Sequence, residues 1–107
     1  MSDLKRLTKT AEKLNANIRK QINKQLQEKF NKYFPSIPIV EIFEVLEINN
    51  VIAVQEDGTP WSGILCGDDG NTSIELKIDD KLIDNAMLIL QWHKMESGRY
   101  EINTYIS

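Results

Sequence analysis

The 107-residue chain contains one cysteine, one histidine, three prolines and five glycines. A lone cysteine, Cys66, excludes an intrachain disulfide, and with it the small secreted scaffolds that depend on disulfide frameworks. A lone histidine, His93, rules out His-x-x-x-His, and no Cys-x-x-Cys spacing exists, so zinc-type ligand patterns are missing. Asp68-Asp69-Gly70-Asn71 lacks the alternating ligands and the distal glutamate of a calcium loop. Gly63, Gly67 and Gly70 are too scattered for a phosphate loop and read as bulges and turns. No cofactor is therefore expected. The longest apolar run, Ala86-Met87-Leu88-Ile89-Leu90, falls far short of the roughly 20 residues of a membrane span. Met1-Ser2-Asp3-Leu4-Lys5-Arg6 has no apolar run behind its charges, so no secretory signal is expected and the reading is a cytoplasmic protein with no membrane partner. Asn71-Thr72-Ser73 matches a glycosylation pattern, which in that setting is chance.

What the chain does have is a charge split. Residues 1–34 carry nine Lys/Arg against three acids, a net of +6, while residues 35–107 carry four against thirteen, a net of −9. The chain reads as a single domain over 1–107, a basic helical arm (1–34) joined to an acidic, strand-rich body (35–107). Opposite charges are thus available within one chain or between two.

The arm has no Gly or Pro from Asp3 to Phe34, and it is rich in Lys, Leu, Gln, Glu and Ala, a helix-forming composition. Its apolar residues fall three or four apart: Leu4, Leu7, Ala11, Leu14, Ile18, Ile22, Leu26 and Phe30, then Tyr33 and Phe34. Leu4 to Ile18 resembles a coiled-coil seam, and the later part suits a helix lying on a sheet. Pro35 is expected to stop the helix, and Asn15 and Asn17 are positions where it can break. About 31 helical residues would span roughly 46 Å, against a body about 29 Å across. The overhang predicts a homodimer or higher assembly in which Leu4, Leu7, Leu14 and Ile18 are covered by a second chain.

The body carries turn signals at Asn49-Asn50, Asp57-Gly58, Asp68–Asn71 and Ser97-Gly98, with short β-prone runs between them, the pattern of an antiparallel meander. Ile74, Leu76 and Ile78 alternate with Glu75, Lys77 and Asp79. Met87–Gln91 is apolar on both faces, so it is expected as a central strand with Leu88, Leu90 and Trp92 on one side. Tyr100, Ile102, Thr104 and Ile106 share one face of the last strand. Asp79–Asn85 reads as a connector with one helical turn capped by Asp79 or Asp80. In Ile39–Ile48 the helical alignment of Ile39, Ile42, Phe43 and Leu46, with Glu41, Glu44 and Glu47 away from them, favours a short helix over a strand. The predicted fold is α+β: a long N-terminal amphipathic helix packed on an antiparallel meander of four to six strands. In element order this is similar to cystatin-like and nuclear-transport-factor-2-like architecture, which implies a concave sheet with the helix in its curve and often an apolar pocket.

Few residues suggest chemistry. Cys66 has no base near it in sequence and reads as a small apolar residue. His93 would need an acid such as Asp68, Asp69, Asp79, Asp80 or Asp84 to form a site, but acidic pairs sit where turns and caps favour Asp. Trp61, Trp92 and His93 are candidate pocket residues, with the tryptophans equally suited to the core. Arg6, Lys9, Lys13, Lys20 and Lys24 form one cationic helix face, suited to an anionic partner such as an acidic protein surface or phosphates, or simply solvated. The acidic body makes nucleic acid the weaker of these partners. The first reading is a small non-catalytic binding or interaction module that self-associates. The alternatives are a small enzyme or ligand binder with a pocket between helix and sheet, and an accessory nucleic-acid binder using the basic helix face.

Overall fold

Helix α1 covers Ala16–Phe30, and every fourth residue of it, Ile22, Leu26 and Phe30, is buried. Ile18, one step earlier on the same ridge, is half-buried against the same core. These coordinates come from a computed structural model that describes residues 16–63, 65, 67–78 and 81–107. Leu4, Leu7, Arg6, Lys9, Lys13, Leu14, Asn15, Cys66, Asp79 and Asp80 lie outside the described residues, and so does the overhang drawn from the arm. Asn17 lies in the first turn of α1.

The helix ends before the position expected from Pro35. After Phe30 the chain turns sharply, with Lys32 N–H donating to Phe30 C=O at 2.8 Å. Tyr33–Phe34 then form a two-residue strand, β1, paired with Glu101 and Tyr100. Tertiary pairing overrides helix periodicity here: Ile102 N–H donates to Lys32 C=O (3.1 Å) and Thr104 N–H to Asn31 Oδ1 (2.9 Å). Unwinding one helical turn satisfies strand-edge groups that would otherwise be orphaned.

The second helix, α2, is Ile39–Ile48 and buries Ile42 and Leu46, as the spacing predicts, together with Val45, while Ile39 and Phe43 are half-buried against the core. Pro38 precedes its first turn, and Ile42 N–H donates to Pro38 C=O. Asn49 and Asn50 close it with bonds to Leu46 and Glu47 carbonyls, and Asn50 takes φ +62°, a left-handed conformation that asparagine tolerates. Asn49 also ties the helices together: its Nδ2 donates to Gln25 Oε1 (2.9 Å) and its Oδ1 accepts from Gln21 Nε2 (3.2 Å).

Strands β2 (Val51–Val54), β3 (Asp69–Ile78), β4 (Lys81–Lys94) and β5 (Tyr100–Ile106) form an antiparallel meander. The five-stranded sheet has the order β1-β5-β4-β3-β2, with β4 in the middle. The chain is therefore an α+β protein with its first helix N-terminal to the sheet. Two sequence expectations are corrected. Residues 81–85 are strand rather than a helical turn, because β4 runs back to Lys81 and pairs there with Ile78. Asp69-Gly70-Asn71 is strand rather than turn: Gly70 pairs with Trp92, whose indole occupies the space a Cβ at Gly70 would need. A glycine in a strand is usually weak, but here the ring covers it and Trp92 Nε1 donates to Gly67 C=O at 3.2 Å.

Both helices lie on one face of the sheet, α1 over β5 and α2 over β2. The core between the layers includes Leu26, Leu46, Leu76, Leu88, Leu90 and Ile102. Opposite Leu76 the register shifts, so that four residues of β4, 83–86, stand against one of β3, and Ile83 and Ala86 are both buried. A bulge of this kind bends the strand and adds local twist. Among the described residues no helix is long and apolar enough to cross a membrane.

Candidate functional site

The helices cover one face of the sheet; among the described residues no helix lies on the other, the bare face, where Val54 is buried beside Pro60 and Trp61, and strand pairing arranges that face in rows. At one end stand Asp69, His93, Glu101 and Tyr33, one residue from each of β3, β4, β5 and β1. Next come Asn71, Gln91 and Asn103, then Ser73, Ile89 and Tyr105. Val54, Glu75 and Met87 follow, and the far end is Ile52, Lys77 and Leu82. The two middle rows contain no charge, although 27% of the chain is Asp, Glu, Lys or Arg. Asn103 Nδ2 donates to Gln91 Oε1 at 2.8 Å, so the amides are already aligned across two strands.

In the end row His93 Nδ1 and Asp69 Oδ1 share a hydrogen bond. Both side chains are well exposed, 61% and 68%. An exposed pair of this kind is screened and contributes at most about 1 kcal/mol. Beside it Lys94 Nζ lies 3.8 Å from Asp68 Oδ1, also in solvent. General acid–base work needs such a pair next to a bound substrate in a cavity that excludes water. No group of three or more His, Cys, Asp or Glu suited to a metal ion occurs among the described residues.

Trp61, Trp92 and His93 do not come together. Trp92 is 7% exposed and points into the core, and His93, its neighbour on β4, faces the opposite side. Trp61 is at the β2 rim. Its ring meets Phe43 of α2 edge-on at 5.6 Å between centroids and covers Gly63. It lines two shallow grooves of about 290 Å³ each, one with Ile37, Ile39, Leu65 and Tyr100, the other on the bare face with Val54, Glu75 and Met87. Neither Trp92 nor His93 lines these grooves.

Of the cationic helix face, Lys20 and Lys24 are described, and both are exposed on α1. Alongside, α2 exposes Glu41, Glu44 and Glu47. The outer surface of the helix layer is thus charged with opposite signs on its two helices.

Parts of the sheet's edges are occupied. Along β5, Asn23 Oδ1 accepts from Ile106 N–H (2.6 Å), Asn23 Nδ2 donates to Ile106 C=O (3.0 Å), and Asn31 Oδ1 takes Thr104 N–H. Helical asparagine is a poor choice by propensity, and here it substitutes for a neighbouring strand. On β2, Thr59–Trp61 fold back: Gln55 N–H donates to Thr59 C=O and Trp61 N–H to Ala53 C=O. Asp57 holds this turn by accepting from Thr59 Oγ1 (2.6 Å) and N–H (3.0 Å). The hydroxyl bond, followed by the backbone bond, holds the Asp57 carboxyl below its ordinary pKa.

Sequence reasoning did not find the amide row or the edge-capping asparagines. The alternation in Met87–His93 and Tyr100–Ile106 does put Gln91 and Asn103 away from the core. Which strands stand side by side, and in what register, is a property of the folded sheet.

No family model matches the chain, and comparison with curated proteins and with solved structures found no match.

Proposed function

We propose that the chain is a non-catalytic protein-interaction module that works as a homodimer. The observation that supports this reading most is the bare sheet face with its uncharged middle. A monomer needs one helix layer to fold, but it gains nothing from keeping charge off its solvent side. Depletion of charge with Tyr105 present, and Met87 in the adjoining row, fits an interface centre better than free surface. The enzyme reading has one observation in its favour, the His93–Asp69 pair, and two against it: both side chains are open to water, and the grooves lie elsewhere on the molecule. The same end of the sheet bears Asp68, Asp69 and Glu101, which repel a polyanion laid across it. Sedimentation velocity of the purified chain at tens of micromolar tests the reading. The expected result is twice the 12.3 kDa chain mass. A species of single-chain mass across that range overturns it.

A further inference from the structure

The structure points to the bare sheet face as the joint, and to a second copy of this chain as what covers it; we infer that the two sheets stack face to face about a two-fold axis that runs across the strands, with Ile89 at the centre. This rests on the homodimer reading above and adds the surface and its geometry.

Four observations converge on it. First, the flank of β5 beyond β1 is occupied by Asn23 and Asn31 and part of the β2 edge by Thr59–Trp61, so joining by added strands is blocked where these groups sit. Second, the helix layer exposes charge along both helices, including Lys20 and Lys24 on α1 and Glu41, Glu44 and Glu47 on α2, whereas the middle of the sheet face exposes Asn71, Gln91, Asn103 and Ser73, with Tyr105 and Ile89 half-buried among them. Third, a two-fold interface must be complementary to itself. An amide and a phenol each carry both a donor and an acceptor: with Ile89 on the axis Tyr105 stands beside its own copy, and the row of Asn71, Gln91 and Asn103 lies over the second copy's Val54, Glu75 and Met87, where an amide N–H can donate to the Glu75 carboxylate. A strongly acidic or basic partner finds no counter-charge in these rows. Fourth, with about 3.3 Å per residue along a strand and about 4.8 Å between strands, the sheet presents a flat footprint of about 600 Å². Side-chain relief raises the accessible area above that, toward the roughly 800 Å² per partner of a stable interface.

The charged end row fixes the axis. If it ran along the strands, Asp69 and Glu101 of one copy would face the same row of the other, a like-charge contact that opposes pairing. Running across the strands, it lays this row over the Ile52–Lys77–Leu82 end of the partner, which carries a cation and two exposed apolar side chains. The two acidic rows then stand at opposite ends, about 27 Å apart. Ile89, in the middle row on the middle strand, meets its own copy near the axis.

The test uses the full chain and three variants, with dimer dissociation measured by sedimentation and folding checked by far-ultraviolet circular dichroism. Ile89→Asp places a charge on the axis and should weaken the dimer on the order of a hundredfold or more. Gln91→Glu is nearly isosteric at an exposed position, so folding is preserved, and it should weaken the dimer about tenfold at neutral pH. Lys24→Glu, on the helix layer, should leave it unchanged. If Ile89→Asp fails to fold, Gln91→Glu decides. A dimer that Gln91→Glu leaves intact overturns the sheet-face assignment while the homodimer reading stands, as does one that Lys24→Glu dissociates. A wild-type chain of single-chain mass overturns both.

Discussion

On the helix side of β4, Leu88, Leu90 and Trp92 are at most 7% exposed, while on the other side Met87 and Ile89 are half-buried and Gln91 and His93 are exposed. The same strand thus builds two surfaces under different constraints. The covered side is filled with branched and aromatic side chains because each must exclude water to stabilise the fold. Stability makes no such demand on the bare side, which could carry alternating charges like the helix surfaces do. It carries instead a graded series, acidic at one end, amides and a tyrosine in the middle, and two aliphatic side chains about one lysine at the other. On the proposed reading, a second chain rather than the folding of one sets the character of this side.

The sharpest way to break that contrast is to truncate adjacent residues of β4. Leu90 is fully buried, and Leu90→Ala should cost about 2–5 kcal/mol of unfolding free energy in urea, the transfer loss plus the cavity left behind. Ile89→Ala, one residue away on the bare side, should cost within about 1 kcal/mol at protein concentrations low enough to keep the chain dissociated. At high concentration the Ile89→Ala deficit should grow, because dimerisation adds stability that the variant loses. Equal costs for the two at low concentration would mean the bare side is already covered within a single chain.

The contrast extends to the edges, where the next effect in size is expected. Asn23 is a half-buried helix residue that bonds both the N–H and the C=O of Ile106. Asn23→Ala should raise the intrinsic helix propensity of α1 by a few tenths of a kcal/mol. It should still destabilise the protein by about 1–3 kcal/mol, because two strand-edge groups lose their partner. Amide hydrogen exchange should localise the loss to Ile106 and its neighbours in β5. Unchanged protection there would show that water satisfies this edge as well as asparagine does.

These two cases also separate what was legible in the sequence from what was not. The core face of β4, the strand at Tyr100–Ile106 and the helix at Ile39–Ile48 follow from periodicity, because burial acts on each element by itself. The early end of α1, the strand at Lys81–Asn85 and the strand at Asp69-Gly70-Asn71 do not, because each depends on a partner distant in sequence: Tyr100 and Glu101 for Tyr33–Phe34, Ile78 for Lys81, Trp92 for Gly70. The bare face was legible residue by residue but not as a surface. Asn71, Gln91 and Asn103 become one row only once register places them side by side, and the same holds for Asp69 beside His93.

The smallest expected effect concerns the rim where the two sides meet. Trp61 touches Phe43 under the helix layer and borders Glu75 and Met87 on the bare face. Its position depends on the Gln55–Thr59 turn, and that turn on Asp57 accepting two bonds from Thr59. Because the Thr59 hydroxyl, then its N–H, favours the ionised form, the Asp57 carboxyl titrates below its ordinary value of 3.8. The folded chain then binds this proton less readily than the unfolded chain does. The contribution to stability is complete above that ordinary value and is lost as pH falls through the lower folded one. Asp57→Asn keeps an oxygen that accepts from Thr59 N–H but removes the titration. Urea unfolding at neutral pH should therefore differ little between the two proteins, and from about pH 4 downward the wild-type chain should lose stability faster than the variant. The side chain is fully exposed, so the gap should be small. Parallel curves at all pH values would show that the turn holds Trp61 at the rim through its backbone bonds alone, with the carboxylate as one more solvated charge.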